Sequence, residues 1–207
     1  MKPVRGVATR FYTFRKIAAA HKAAGQKIRF LAGKGYYIVG HPARKQITMY
    51  DSVDVRQIPS NAQAVAGYVG GRWPTFGTLA AEWPRSTHKL SIAVNASENA
   101  DCLDVEQGDA SVDQAAAWVK RQKARGVKRP VVYTSVSQAP LLLRTLARGG
   151  VARSDIRLWT AHYTFKAHRC SASCGFGFAG SADATQYSDH ALGRNLDASL
   201  CSPSFFP

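Results

Sequence analysis

Acidic residues are what this chain lacks most. Its 207 residues hold 28 Lys or Arg against 13 Asp or Glu, and residues 1–46 hold eleven basic groups and no acid. Long apolar runs are missing as well, since none approaches the ~20 residues of a membrane span. The opening Met1-Lys2-Pro3-Val4-Arg5 is basic, but no apolar core or small-residue cleavage site follows it. No secretory signal is therefore expected, and work beyond the membrane would need another exit. A glycine-rich phosphate loop is absent too: the first strand of the main domain ends in Asp51-Ser52-Val53-Asp54, which disfavours a nucleotide site. There are only four cysteines, Cys102, Cys170, Cys174 and Cys201. Four cysteines allow three pairings, and sequence does not choose among them.

What is present reads as globular, with 45% hydrophobic and 20% charged residues. The net charge of +15 sits mainly in residues 1–46, which supply +11 of it. Such asymmetry predicts an appendage for a polyanion, whether nucleic acid, anionic wall polymer or anionic lipid, or else a solubilising arm. Within it, residues 11–24 place Phe11, Phe14, Ile17, Ala18 and His21 at helical spacing, and Gly25 ends the run. Residues 27–39 read as a hairpin turning over Gly33-Lys34-Gly35, and residues 41–45 as a linker.

From residue 47 onward strands alternate with helices. Strands are predicted over 47–53, 64–69, 89–95, 102–106, 130–134, 156–163, 184–187 and 195–199, and helices over 75–83, 111–125 and 137–148. The expected fold is α/β: an irregular TIM-like (β/α) barrel over 47–207 with reduced late helices, preceded by the basic helix-hairpin of 1–46. A doubly wound open sheet is the structural alternative.

The stretch Ala100-Asp101-Cys102-Leu103-Asp104-Val105-Glu106-Gln107-Gly108-Asp109 organises the site. On a strand, Asp104 and Glu106 fall on one face, one pleat apart, where two carboxyl groups cannot both ionise freely. A protonated acid beside a carboxylate is what glycoside hydrolysis requires. Asp101 reads as a turn residue, and Asp109 and Ser111 as caps of the following helix. In a barrel, functional groups gather at the C-terminal strand ends. Those ends give Asp51, Asn95, Asp104 with Glu106, Tyr133, His162 with Tyr163, Gln186 with Tyr187, and Asp197. Trp159, Tyr133, Tyr163 and Tyr187 would offer flat faces for sugar rings. In the Ser- and Gly-rich stretch His168-Arg169-Cys170-Ser171-Ala172-Ser173-Cys174-Gly175, Cys170 and Cys174 could form a loop disulfide. Together with His168 they could instead form a zinc site, which lacks a fourth ligand in the sequence. Cys102 reads as a buried strand thiol.

Leu103-Asp104-Val105-Glu106, Pro130-Val131-Val132-Tyr133-Thr134-Ser135, Leu158-Trp159-Thr160-Ala161-His162-Tyr163, Thr185-Gln186-Tyr187-Ser188 and Asn195-Leu196-Asp197 follow one another in an order that resembles glycoside hydrolase family 25. These are lysozyme-type muramidases on an irregular βα barrel, frequent among phage endolysins. The chain also resembles the family 25-like barrels of unassigned activity in actinobacteria and their phages. The resemblance covers roughly residues 47–200. It implies Glu106 as general acid, Asp104 as the group orienting the reacting sugar, Asp51 and Asp197 as completing the acidic cluster, and Tyr187 as a substrate contact. It further implies hydrolysis of peptidoglycan β-1,4 links without a cofactor or catalytic metal, after cytoplasmic synthesis and release to the bacterial wall. Met49-Tyr50-Asp51-Ser52-Val53-Asp54 and the second strand, from Ala64 to Gly71, depart from the family pattern. That departure keeps open a catalytically silent barrel that binds glycan or serves as a structural virion or surface protein.

Overall fold

The computed structural model describes residues 27–31, 35–39 and 46–206. The helix expected over 11–24 and the linker over 41–45 lie outside the described residues. The chain divides into two compact units, Met1–Lys45 and Gln46–Pro207. In the first, strand β1 (Lys27–Leu31) pairs antiparallel with β2 (Gly35–Val39), setting Ile28 against Ile38.

The second unit is a closed mixed barrel of eight strands with few helices, an α/β barrel rather than an open doubly wound sheet. Its strands are β3 (Ile47–Asp51), β4 (Ala64–Tyr68), β5 (His88–Ala93), β6 (Cys102–Asp104), β7 (Val131–Ser135), β8 (Arg157–Ala161), β9 (Ala184–Ser188) and β10 (Asp197–Cys201). Neighbours from β3 through β9 pair parallel, in chain order. β10 closes the ring and runs antiparallel to both β9 and β3. A uniformly parallel barrel does not anticipate this reversal. No α-helix is inserted between β9 and β10; the chain turns through Leu192 (φ 56°) and Gly193 (φ 69°) and returns down the wall.

Among the described residues, three α-helices cover part of the barrel: α1 (Phe76–Glu82), α2 (Val112–Ala124) and α3 (Ala139–Arg148). Each follows from its sequence. α2 begins at Ser111, whose backbone N–H donates to Gln114 Oε1 at 2.9 Å, tying down the first turn. It buries Ala115, Trp118, Val119 and Gln122, one helical face, and Trp118 Nε1 donates to the Glu98 carbonyl. α3 carries Pro140 in its first turn, where no N–H is needed, and buries Ala139, Leu142 and Leu146. These faces join Leu103, Val132, Ile156 and Leu158 in the core outside the barrel wall.

Strand alternation divides the wall. Met49, Ala64, Ala66, Leu90, Ile92, Cys102, Val131, Trp159, Ala184 and Cys201 belong to a second core that fills the barrel interior. Phe205 and Phe206 close this core from the C-terminal tail, Phe205 edge-on to Trp159 and Phe206 stacked on His88 at 4.6 Å. The end of the barrel where β3 to β9 begin is therefore apolar and plugged. Asp183 braces the late strands: it accepts from Arg153, from Arg129 and from the Leu158 N–H.

Phe205→Ala is expected to cost about 3–5 kcal/mol, because it opens a cavity in an interior that cannot collapse around a closed ring of strands. Urea unfolding followed by circular dichroism measures it; an unchanged midpoint would show that the tail does not plug the barrel.

Candidate active site at the open mouth

Interior positions at the other end of the strands are polar. Asp51 ends β3 and Asp104 ends β6. Asp197 begins β10, and the antiparallel register sets it directly opposite Asp51. Asp197 was expected at a C-terminal strand end; it reaches the same mouth because its strand runs backwards. Tyr68 ends β4, and Gln186 and Ser188 lie on the inner face of β9. The β6 strand stops at Asp104, so Glu106 projects from the loop beyond it rather than from the same pleated face. Glu106 is half-buried and lines an open groove of about 480 Å³ with Asp109, Asp113, Gln138 and Leu141 among its walls.

Asp51 is 3% exposed and Asp104 is 5% exposed. Burial and the neighbouring Asp197 carboxyl push Asp51 well above the usual carboxylate range. Burial, then Glu106 and Asp109, push Asp104 up to about 8. Glu106 is raised by burial, then by Asp109 and Asp197. Asp197 is raised by burial but pulled back by the Asp51 carboxyl and the Gln186 carboxamide beside it. All four carboxyls are thus raised by burial, and Asp51 and Asp104 are the most deeply buried of them. The alternation of the strand predicts that one of Asp104 and Glu106 keeps its proton; both are raised, and Asp104 is the more deeply buried of the two. Among the described residues Asp51 Oδ2 and Asp104 Oδ1 are buried with no donor, although the Asp51 carboxyl hydrogen-bonds the Asp197 carboxyl; buried polar atoms of this kind are expected to meet a ligand or water.

Aromatic groups divide the same way. Tyr133 is buried and donates to Gln186 Oε1 at 2.6 Å, holding that carboxamide toward Asp197. Tyr163, 45% exposed, stands at the rim, its hydroxyl raised to about 12 by burial and by Asp197. Trp159 is not a sugar platform: it is 2% exposed, packed 4.6 Å from Tyr133, and its Nε1 donates to Ser199 Oγ. Tyr187 is not in the cluster either. Alternation turns it away from Gln186 to the outside of the barrel, beside Tyr50. Asn95 is exposed, and its Oδ1 accepts the Ser97 N–H within its own turn.

Three residues gain roles that sequence reading did not give them. Asp109 is not the helix cap; its charge reaches Asp104, Glu106 and Tyr68. Tyr68 lies among Asp51, Asp104 and Asp197, and burial with those charges raises its hydroxyl strongly. The even spacing of Ala64, Ala66 and Tyr68 on one strand face was the available signal for Tyr68. Asp101 does more than turn the chain: Oδ2 accepts from Ser91 Oγ at 2.6 Å and from the Ser91 N–H, stapling β6 to β5.

The Asp104 environment sets a pH dependence. A carboxyl raised in the folded state binds more protons there than in the unfolded chain, so the contribution of Asp104 to folding stability is greatest below pH 3.8 and falls as pH rises toward about 8. Asp104→Asn is expected to flatten the decline in melting temperature between pH 5 and pH 9. Equal slopes for the two proteins would show that Asp104 is ionised at neutral pH.

No family model matches the chain, and no curated protein matches it. Among solved structures the chain is similar to one described as a 1.07 Å crystal structure of an uncharacterized B. stearothermophilus protein. The identity is 14% and the TM-score 0.55, over 77% of this chain and 97% of that one. The likeness is one of fold: an α/β barrel of this kind is shared by the two proteins.

Proposed function

We propose that the protein is a cell-wall glycosidase, a lysozyme-type N-acetylmuramidase acting on the β-1,4 links of peptidoglycan, on an irregular TIM-like barrel of the family 25 kind. One observation carries this reading. Asp51, Asp104, Glu106 and Asp197 come from three strands and one loop to a single barrel mouth, and two of them bury oxygens that find no donor among the described residues. Buried carboxyls persist where they are paired, hydrogen-bonded or used.

In this reading Glu106, half-buried at the edge of the groove, meets the glycosidic oxygen and delivers a proton to the leaving sugar. Asp104 lies deeper and is neutral at pH 7, so it donates a hydrogen bond to the reacting sugar, most naturally at its N-acetyl carbonyl. Asp197, the more ionised member of its pair, stabilises positive charge developing at the sugar, with Asp51 and Gln186 fixing its orientation. Tyr163 supplies the exposed face on which a sugar ring stacks. Residues 1–46, with eleven basic groups and no acid, hold the enzyme on anionic wall polymer. A phage endolysin released to the wall after cytoplasmic synthesis is the setting that this reading implies.

A second reading, a silent barrel that binds glycan or builds a virion or cell surface, draws on a specific feature: the proton is held harder at Asp104 than at Glu106, the reverse of the assignment that the resemblance implies. Purified protein is expected to clear peptidoglycan suspensions and release new reducing ends. Glu106→Gln is expected to lower that rate by at least ~100-fold with melting temperature preserved. Wild-type protein inactive on several wall types would leave the silent barrel, and full activity in Glu106→Gln would remove Glu106 as the acid. Removing residues 1–46 is expected to abolish the salt-sensitive part of wall binding; binding equally salt-sensitive without them would place the polyanion site on the barrel.

A further inference from the structure

Between β8 and β9 the chain runs from residue 162 to residue 183 without an α-helix. Loops this long are uncommon in a compact domain and are most often functional. Two non-glycine residues in it, Phe165 and Phe176, take left-handed backbone angles of φ 57° and 59°. Strained positions of that kind persist where the surroundings over-determine them.

Four donor atoms converge inside this loop. His162, His168, Cys170 and Cys174 each present one ligand atom, and all four atoms lie within 4.8 Å of one another. His162 Nδ1 stands 3.1 Å from His168 Nε2, and Cys170 Sγ stands 3.4 Å and 3.7 Å from those two nitrogens. In a tetrahedral site with the usual Zn–N and Zn–S bond lengths, the edges between ligand atoms are ~3.3 Å for N to N and ~3.6 Å for N to S. The three edges here fall within a few tenths of an ångström of those values. Spacing agrees as well: five residues separate the histidines and three separate the cysteines.

Surrounding contacts prepare the donors. His168 Nδ1 lies 2.9 Å from the Lys166 carbonyl and 3.1 Å from Thr164 Oγ1. The carbonyl can only accept, so it fixes the proton on Nδ1 and leaves the Nε2 lone pair facing the cluster. The Cys170 N–H donates to Thr185 Oγ1 on β9, and the Cys170 carbonyl accepts from the Ala182 N–H, anchoring this ligand to the barrel wall. Sequence reading found three of these ligands and missed His162, which counted as a strand-end residue. The parallel pairing sets the end of β8 beside Gln186 on β9, where the His162 N–H donates to the Gln186 carbonyl, and the loop between the strands folds back onto His162.

We propose that His162, His168, Cys170 and Cys174 bind one zinc ion that holds the 162–183 loop in place. All four positions are filled by protein, so the ion is structural, and its closed coordination leaves none open for substrate or water. Tyr163 follows a ligand directly, so the ion also sets the rim of the mouth. The inference is independent of the glycosidase reading.

The full chain, purified under reducing conditions and passed over a chelating resin, is expected to retain about one zinc per chain by elemental analysis. Replacing the metal with cobalt(II) is expected to give the intense visible bands of a tetrahedral site with thiolate-to-cobalt charge transfer. Cys174→Ser and His162→Ala are expected to lose stoichiometric zinc, while Cys102→Ser and Cys201→Ser keep it. Cobalt binding by wild-type protein decides the matter even where a ligand variant fails to fold. Folded wild-type protein with no zinc and no tetrahedral cobalt spectrum would overturn the proposal. A Cys170–Cys174 disulfide in protein purified without oxidant, found by alkylation and mass spectrometry, would overturn it equally.

Discussion

The antiparallel pairing of β10 with β3 sets Asp197 against Asp51 at the mouth of a closed ring of strands. Two carboxyl groups held that close in a poorly solvated place repel strongly if both ionise, so one keeps its proton. Asp104 enters the same mouth from β6 and is neutral for a related reason: burial first, then the charges of Glu106 and Asp109. The folded barrel must supply the stability that this acidic cluster opposes. The apolar plug of Phe205 and Phe206, the packed interior around Trp159, and the helix-backed layer on Leu103, Val132 and Leu158 provide it.

Such a division is familiar from the logic of active sites, where groups are held in states they would not choose in water. One end of this barrel is filled by Phe205 and Phe206, and the other presents four carboxyls, of which Glu106 also lines the groove between the 106–113 loop and α3. Unequal affinity gives chemical meaning to the cluster. Four fully ionised carboxylates would form a cation sink; carboxyls raised to different degrees can donate and accept in one site.

Much of the arrangement was legible in the sequence because strand periodicity is simple. Asp104, Asp51 and Gln186 are read to the mouth from the alternation of their strands, and all eight strand positions follow from apolar runs bounded by turns. The same alternation should have excluded Tyr187, one position from Gln186 and hence on the opposite face. Trp159 failed for another reason: inward direction places a side chain in the interior, but depth along the barrel decides whether it reaches the mouth. The reversal of β10 had no local signal, since a strand reads alike in either direction. It nonetheless left Asp197 at the mouth, because Asp197 is the first residue of the reversed strand and pairs with Asp51, the last of β3. Asp109 and His162 depend on where loops fold back, which strand and helix patterns do not encode.

The proton on Asp104 at neutral pH is the central claim, because the division of roles among the four carboxyls depends on it. Carbon-13 NMR of the side-chain carboxyl carbons, with Asp104→Asn used to assign the signal, measures it directly. An aspartate resonance that titrates near 8 and vanishes in Asp104→Asn is the predicted result. If every aspartate and glutamate carboxyl titrates in the ordinary range near 4, the mouth is fully ionised at neutral pH and the account fails.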